Sequence, residues 1–334
     1  MAIKKKAFFF TFLSILLVSI LLITFIKTPA MQTQKQTDTT KIKITLIDDF
    51  TQNFRTVYIP RLLYFTTVKV LNNYTTLTDE LDILAITEEG DIGGKFDSQF
   101  THDMEIQLNY SLLEILSLSQ NKLKIFSAVN ITNLGIKQID TWTLEVSGKY
   151  SIYTRTNESD VSFLLLDQDV IVNVHIEGLY DPLFMRHASE FSVDKKGENR
   201  TIKRAANLDW NLTASQNFFA QKLYRESADA PGFLNRLKGE ESMSEFGIES
   251  FLDPEVYSQD PTNEKGYSHV DYKYFLQLDE CIKNEEDGTV NAELYEIPNI
   301  KDKPPFYLDI EHIGLYTLTK EIGQQYKCVV PSEG

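Results

Sequence analysis

The chain has 334 residues, of which 42% are hydrophobic and 12% aromatic, and its formal net charge at pH 7 is −15. This apolar content is typical of a folded protein, and the length allows one large domain or two ordinary ones. The negative charge argues against binding nucleic acid or anionic lipid headgroups through a basic patch, because both are themselves negative. We therefore expect no nucleic-acid partner.

The first predicted element is a membrane-spanning helix. Lysines at positions 4–6 precede an uncharged run from Ala7 to Ile26, which Lys27 closes. A helix over this run would span roughly 30 Å, the thickness of the hydrocarbon core of a bilayer. The lysines favour a cytoplasmic N-terminus, so residues 1–27 predict a single-pass protein of the cell membrane with an extracellular C-terminal part. A cleaved signal peptide is the alternative, although Thr28-Pro29-Ala30 matches a cleavage site poorly.

A tether and a helix follow the membrane segment. Residues 28–43 are polar and rich in threonine and glutamine, which is typical of a linker. In residues 44–71 the apolar side chains recur at steps of three and four, which predicts a long amphipathic helix with a kink at Pro60. An apolar helix face must cover something, most simply a sheet. Residues 103–118 have a helical or mixed pattern.

The hydrophobic period then changes to two. The segments KLKIFSAVNI, TWTLEVSGKYSIYTR and VSFLLLDQDVIVNVHIEG are rich in β-branched and aromatic residues and are separated by polar turns. They predict three antiparallel strands or bent hairpins, with the preceding helix as their cover. Residues 44–184 therefore form a predicted α+β module. Asp167 and Asp169 are interpreted as the polar face of a buried strand.

The last predicted unit, residues 185–334, is loop-rich at first and β-rich at its end. FFAQKLYRESA and FLNRLKG predict short helices. DYKYFLQLDECIK and TVNAELYEI predict strands on either side of a hairpin turn at Asp287-Gly288. PFYLDIEHIGLYTLT predicts another strand. The fold class expected for the whole extracellular part is α+β.

Two further features are typical of an extracellular chain. Cys281 and Cys328 are the only cysteines, and outside the membrane such a pair favours a disulfide over two free thiols. A two-cysteine metal site would need a histidine at zinc-like spacing, and His312 stands alone in the sequence. N-x-S/T sequons make surface glycosylation a second expectation. They begin at Asn73, Asn109, Asn130, Asn157, Asn199 and Asn211.

No catalytic signature is present among the phosphate-binding, zinc-protease and serine-hydrolase motifs. The His102-Asp103 pair lacks the partners of a metal phosphohydrolase. In LDIEH, strand alternation would put Asp309 and Glu311 on one face, as a cation site or, in the interpretation we favour, a solvated face. The segment around Gly288 fails as a calcium loop, because Lys283 and Leu294 would occupy ligand positions. We expect no catalytic, cofactor or metal residue.

Several segments together resemble those of pilin-like, membrane-anchored surface proteins of archaea. They are the opening KKKAFFFTF, then GLYDPLF (178–184), PGFLNRLKG (231–239), FGIESFLDP (246–254) and FYLDIEHIGLY (306–316). The resemblance implies an exported protein with one N-terminal membrane helix and an extracellular α+β ectodomain, and it transfers no catalytic residue. Phe12 stands where a pilin precursor cut at Ala7 would carry an acidic residue, which favours a minor subunit or a plain surface protein over a major filament subunit.

The sequence therefore predicts a non-enzymatic, membrane-anchored surface protein with a structural, adhesive or pilus-like role and surface-assembly proteins as its partners. The alternative is an exported hydrolase whose site is built from scattered acidic residues and His102 or His312.

Overall fold

The computed structural model describes most of the chain beyond the predicted membrane segment. The described residues are 35–76, 92–156, 161–187, 200–206, 211–240, 242–252, 267–275, 281–283, 290–292, 294–299, 305–316, 318 and 324–325. Among them, no helix combines the length and the apolar character that crossing a bilayer requires. The run Ala7 to Ile26 lies outside the described residues.

The predicted long helix is present and extends further at both ends than residues 44–71. It consists of α1 (Lys35–Asn53), a π-helical turn (Phe54–Tyr58) and α2 (Ile59–Thr76). Helix α1 begins within the predicted tether, where no proline or glycine interrupts the chain before Pro60. In the π turn, the Ile59 N–H donates to the Phe54 carbonyl. Pro60 follows directly and has no N–H for the α-helical ladder, which gives a physical reason for the irregularity at this point.

Three antiparallel strands follow, as predicted. Strands β1 (Ile125–Asp140), β2 (Thr143–Thr156) and β3 (Ser162–His175) form a sheet in the order β1-β2-β3. Alternate residues of β2 are buried, as expected for a sheet with one covered face. Strand β3 contains a bulge at Asp167, whose φ is +50°. Bulges of this kind interrupt the pairing surface of an edge strand.

Helices cover one face of this sheet. Helix α2 packs on β2 and β3, and helix α3 (Ile92–Leu123) packs beside α2 and along β1. Two hydrogen bonds show that the helices run antiparallel. Lys69 Nζ donates to Gln107 Oε1 at 2.6 Å, and Tyr74 Oη, further along α2, donates to Asp103 Oδ2, earlier on α3, at 2.5 Å. The result is a helix layer on an antiparallel sheet.

The C-terminal part consists of short elements around the end of that sheet. Among its described residues the helices are α4 (Pro182–His187), α5 (Leu212–Gln221), α6 (Phe233–Lys238), α7 (Asp271–Phe275) and α8 (Ile310–Leu315). Its strands are β4 (Arg225–Glu226), β5 (Ile248–Glu249), β6 (Cys281–Lys283), β7 (Val290–Ala292), β8 (Leu294–Ile297), β9 (Phe306–Asp309) and β10 (Gln324–Gln325). Pairing is antiparallel in β4-β5, β6-β7 and β10-β8-β9. The α+β class with antiparallel sheets is therefore confirmed.

Two strand predictions in this part are wrong in detail. The start of DYKYFLQLDECIK is helix α7 rather than strand, and a strand is present at its end, Cys281–Lys283. Residues 276–280 lie outside the described part of the chain. The strand predicted over residues 305–319 ends at Asp309, where helix α8 begins. The Asp309 carboxylate accepts a hydrogen bond from the His312 N–H at 3.1 Å. This N-cap satisfies a backbone donor at the helix start, so the chain turns into a helix despite its β-like pattern.

Candidate functional site

A buried guanidinium lies at the centre of the C-terminal part. Arg236, on α6, is 1% exposed. Its Nη1 lies 2.7 Å from Asp181 Oδ2 and 2.8 Å from Asp271 Oδ2, and its Nη2 donates to the Ile248 carbonyl. Burial raises the pKa of the Asp271 carboxyl above its ordinary value, and the facing guanidinium offsets only part of this rise. A buried cation is tolerated only when such partners compensate for the water it has lost.

A second buried group is centred on His312. His312 Nδ1 lies 2.7 Å from Asp309 Oδ1, and His312 Nε2 lies 3.2 Å from Glu249 Oε2. Burial lowers the pKa of the ring, but the hydrogen bonds and charges of the two carboxylates outweigh burial and raise the pKa of His312 to about 9. His312 is therefore an imidazolium at neutral pH, with both ring nitrogens donating. Because no free ring nitrogen remains, His312 cannot accept a proton as a general base in this state.

Further cations and donors complete the second group. Arg225 Nε lies 2.8 Å from Glu249 Oε1, and the Tyr316 hydroxyl donates to the same oxygen at 3.0 Å. Lys273 Nζ lies 3.3 Å from Asp309 Oδ2. Burial raises the pKa of the Glu249 and Asp309 carboxyls, but the hydrogen bonds and charge of His312 outweigh burial and lower both pKa values below their ordinary range. Both carboxylates are thus charged and paired. Glu249 and its neighbour Ser250 also connect the two groups, since the Asp271 N–H donates to the Ser250 carbonyl at 2.8 Å. Arg200 Nη2 donates to Ser250 Oγ at the same place.

We refer to these two groups as the buried polar network. Its members are Asp181, Arg200, Arg225, Arg236, Glu249, Ser250, Asp271, Lys273, Asp309, His312 and Tyr316. Each of the four later segments that carry the resemblance to pilin-like surface proteins contributes at least one of them. GLYDPLF contributes Asp181, PGFLNRLKG contributes Arg236, FGIESFLDP contributes Glu249, and FYLDIEHIGLY contributes Asp309. Charged residues among apolar ones in these segments are the sequence feature that could have indicated a buried network.

The structure corrects the prediction made for LDIEH. Asp309 and Glu311 do not share a strand face, because Asp309 caps helix α8 while Glu311 lies in its first turn. Asp309 is 1% exposed, whereas the Glu311 side chain is 70% exposed, so the predicted solvated face is wrong for Asp309. His312 stands alone in the sequence, but the fold places it between two acidic residues. In the described part of the chain, no group of three or more histidine, cysteine or acidic residues has the arrangement of a metal site.

An open cleft of about 530 Å³ lies beside the turn between β1 and β2. The Trp142 indole N–H, in this turn, donates to Glu226 Oε1 at 2.9 Å. The Arg204 guanidinium lies 5.1 Å from the Trp142 ring centroid and 3.2 Å from the same Glu226 oxygen. The acidic lining, which includes Asp140, Glu177 and Glu245, suits a cationic group. Arg204 already occupies the position that such a group would take over the tryptophan.

The remaining predicted site residues are dispersed. His102 is exposed on α3 and is not a member of the buried polar network. Cys281 lies in β6 and Cys328 lies outside the described residues, so the disulfide stays a prediction. Of the sequon asparagines, Asn157 and Asn199 also lie outside the described residues. Asn73, Asn109, Asn130 and Asn211 are exposed, and their glycosylation stays a prediction.

Comparison of the chain with protein-family models, with curated proteins and with solved structures finds no match.

Proposed function

We propose that this chain is a membrane-anchored cell-surface protein without enzymatic activity, whose extracellular α+β part has a structural or adhesive role or is a minor pilin-like component of a surface assembly. The observation that carries the proposal is the uncharged run Ala7 to Ile26 between lysines. A run of this length matches the apolar thickness of a bilayer, and the lysines before it favour export of the residues after Lys27.

The order of the elements along the chain supports the proposal. Helix α1 begins at Lys35, shortly after the apolar run, and α2 packs on an antiparallel sheet. A folded α+β part after an N-terminal membrane helix is what the resemblance to pilin-like surface proteins implies. The polar composition of the first residues after Lys27 suits the exit from a bilayer, since polar groups are costly within it.

The chemistry around the candidate histidines favours a structural role over the alternative, an exported hydrolase. Asp309 and His312 do lie together, but both are buried and each is paired within the buried polar network. His102, the other histidine considered for a hydrolase, lies exposed on α3. A hydrolytic site needs a base that can take up a proton next to an accessible substrate. The imidazolium of His312 meets neither requirement in this arrangement.

Protease treatment of intact cells tests the proposed topology. We expect added protease to digest the part after Lys27, while a peptide containing Ala7 to Ile26 stays in the membrane fraction. Intact mass of the untreated protein from native membranes provides the second measurement. A chain protected from protease in intact cells, or a mature chain that begins after Ile26, would contradict the proposal of an anchored surface protein.

A further inference from the structure

The outward side of the helix layer carries a row of exposed apolar side chains. On α3, Ile106, Tyr110 and Leu113 are 37%, 69% and 65% exposed and are spaced one helical turn apart. On α2, Phe65 is 44% exposed. The contact between Lys69 and Gln107 places Phe65 level with Tyr110 in the antiparallel helix pair. We call these four residues the outer helix face.

This row is separate from the apolar face that α3 uses in the core. Met104, Leu108 and Leu112 are buried and follow one another at the spacing of a helix turn. Ile106, Tyr110 and Leu113 follow the same spacing on the opposite side of the helix, away from the core. An exposed apolar row at helical spacing is a typical feature of a surface that contacts another protein.

The charges beside the outer helix face differ between the two helices. On α2, Arg61, Phe65 and Lys69 lie at intervals of four residues, so the exposed apolar ring has a cation on each side along the helix. On α3, the exposed carboxylates Glu105 and Glu114 flank the apolar row. In the described part of the chain, Arg61, Glu105 and Glu114 form no ion pair. One helix of the face is therefore basic and the other is acidic.

We infer that the outer helix face binds a second copy of this chain. A two-fold arrangement that places α2 of one copy on α3 of the other brings the basic helix onto the acidic helix twice, once in each direction. Both contacts also cover the apolar row. The second copy would be a partner in the proposed surface assembly, so the biological role of the contact rests on the proposed function. The contact itself involves no residue of the predicted membrane segment.

Charge exchange between two variants of the full chain tests this arrangement. One variant is R61E/K69E, which makes both helices of the face acidic, and the other is E105K/E114K, which makes both basic. Each variant alone should dimerise at least about tenfold more weakly than the unmodified chain, because like charges then face each other. An equimolar mixture should form a heterodimer with an affinity within about threefold of the unmodified chain, because every contact is again between opposite charges.

The measurement is sedimentation velocity of the detergent-solubilised full chain, with one variant carrying a fluorescent label. A misfolded variant could not recover binding on mixing, so recovery supports the face itself. Association through residues 7–26 is unchanged in both variants and would give equal dimerisation in all samples. Equal dimerisation, a monomeric unmodified chain, or a mixture that does not recover would each overturn the inference.

Two apolar substitutions provide an independent measurement. L113D should weaken dimerisation at least about tenfold, because it places a carboxylate in the apolar row. L164D is the matched control, since Leu164 is 59% exposed on β3, away from the helix layer, and its substitution should leave dimerisation unchanged. Asn109 begins a sequon on this face. Full glycosylation of Asn109 in the membrane-derived protein would cover the face and would also overturn the inference.

The two proposals can fail separately. Protease protection in intact cells contradicts the surface location even if the chain dimerises in detergent. Loss of the charge-exchange effect contradicts the dimer face even if protease digests the exterior part of the chain.

Discussion

The His312 side chain lies between two buried carboxylates, and each ring nitrogen is within hydrogen-bond distance of one of them. The pKa of His312 rises to about 9 because these hydrogen bonds and charges outweigh the effect of burial. The folded-state pKa is therefore above the ordinary value of 6.5, and the ring binds its proton more tightly in the folded protein than in the unfolded chain. The stabilisation is fully present below about pH 6.5 and is lost as the pH rises through about 9.

This linkage predicts a specific loss of stability in alkaline solution. Between about pH 6.5 and about pH 10, the free energy of unfolding should fall by about 3 kcal/mol through His312. The variant H312Q should be less stable at neutral pH and should lose this part of the pH dependence. Denaturant titrations of the full chain in detergent, at a series of pH values, provide the measurement.

His102 provides the control for that experiment. It is exposed on α3 and lies outside the buried polar network, so H102Q should keep the pH dependence of the unmodified chain. Equal slopes for H312Q and the unmodified chain would show that His312 does not titrate as described. Stability is also lost in acid. His312 lowers the pKa of the Glu249 carboxyl, so the stabilisation from this carboxylate disappears as falling pH protonates it.

The sequence identified some members of this network but not their arrangement. Asp309 and His312 were considered as site residues because they lie together in LDIEH. Glu249, which completes the group, is distant in the sequence. The pairing depends on β5 and α8 meeting in the fold, and no local pattern contains that information. A strand was predicted here. The local signal for a helix is the N-cap residue Asp309 followed by Glu311 in the first turn.

At the scale of elements, the regularity of the hydrophobic period decided which predictions succeeded. Helix α3 has 32 residues, yet its mixed pattern allowed only a helical or mixed prediction over residues 103–118. The strands β1, β2 and β3 and the long helix have many repeats of their period, and all four were predicted. Helix α7 has five residues, too few to show a helical repeat, and its aromatic residues favour a strand. Tertiary contacts determine such short segments, since Asp271 at its start is held by Arg236.

Strand β5 depends on a close approach of two backbone segments. A Cβ atom added at Gly247 would lie 2.1 Å from the carbonyl oxygens of Ser227 and Ala230, so only glycine fits there. We expect G247A to lower the free energy of unfolding by at least about 2 kcal/mol, because backbone rather than a flexible side chain must move. Chemical denaturation of the full chain in detergent measures this change.

Gly314 is the matched control for that substitution. It lies in helix α8, where no atom beyond its chain neighbours and the backbone of its own helix comes within 4 Å of an added Cβ. G314A should therefore be neutral or stabilise the protein by about 0.5–1 kcal/mol, as expected for alanine in place of glycine in a helix. Similar effects of G247A and G314A would mean that the backbone approach at Gly247 is looser than the structure shows.

At the scale of the whole molecule, contacts join the two parts on either side of position 184. One apolar core contains residues from Phe54 in the π turn to Leu318 near the C-terminus. Asp181 and Arg236 form a buried ion pair across the same position. The division into 44–184 and 185–334 was drawn from a change in composition along the chain, and it stays a prediction. Composition cannot show which buried surfaces are shared, because sharing is a property of the folded chain.

These shared contacts predict that the described parts unfold together. Calorimetry of the full chain in detergent should show one transition, with a calorimetric enthalpy equal to the van't Hoff enthalpy. The variant R236M leaves two buried carboxylates without their cation, and it should lower the free energy of unfolding by about 3–5 kcal/mol. Because Arg236 contacts both parts, the whole transition should move to lower temperature rather than divide in two.

Lys238, on the same helix as Arg236, is the control for charge removal. Its Nζ lies 3.2 Å from the carboxylate of Asp97, and the side chains of Lys238 and Asp97 are 18% and 56% exposed. An ion pair with a half-exposed carboxylate contributes little, because water screens the charges, so K238M should change the free energy of unfolding by about 1 kcal/mol or less. Two resolved transitions in the unmodified chain, or an R236M variant in which only part of the heat absorption moves, would show that the two parts fold independently. A single shifted transition would show that the Arg236 pairs join them into one cooperative unit.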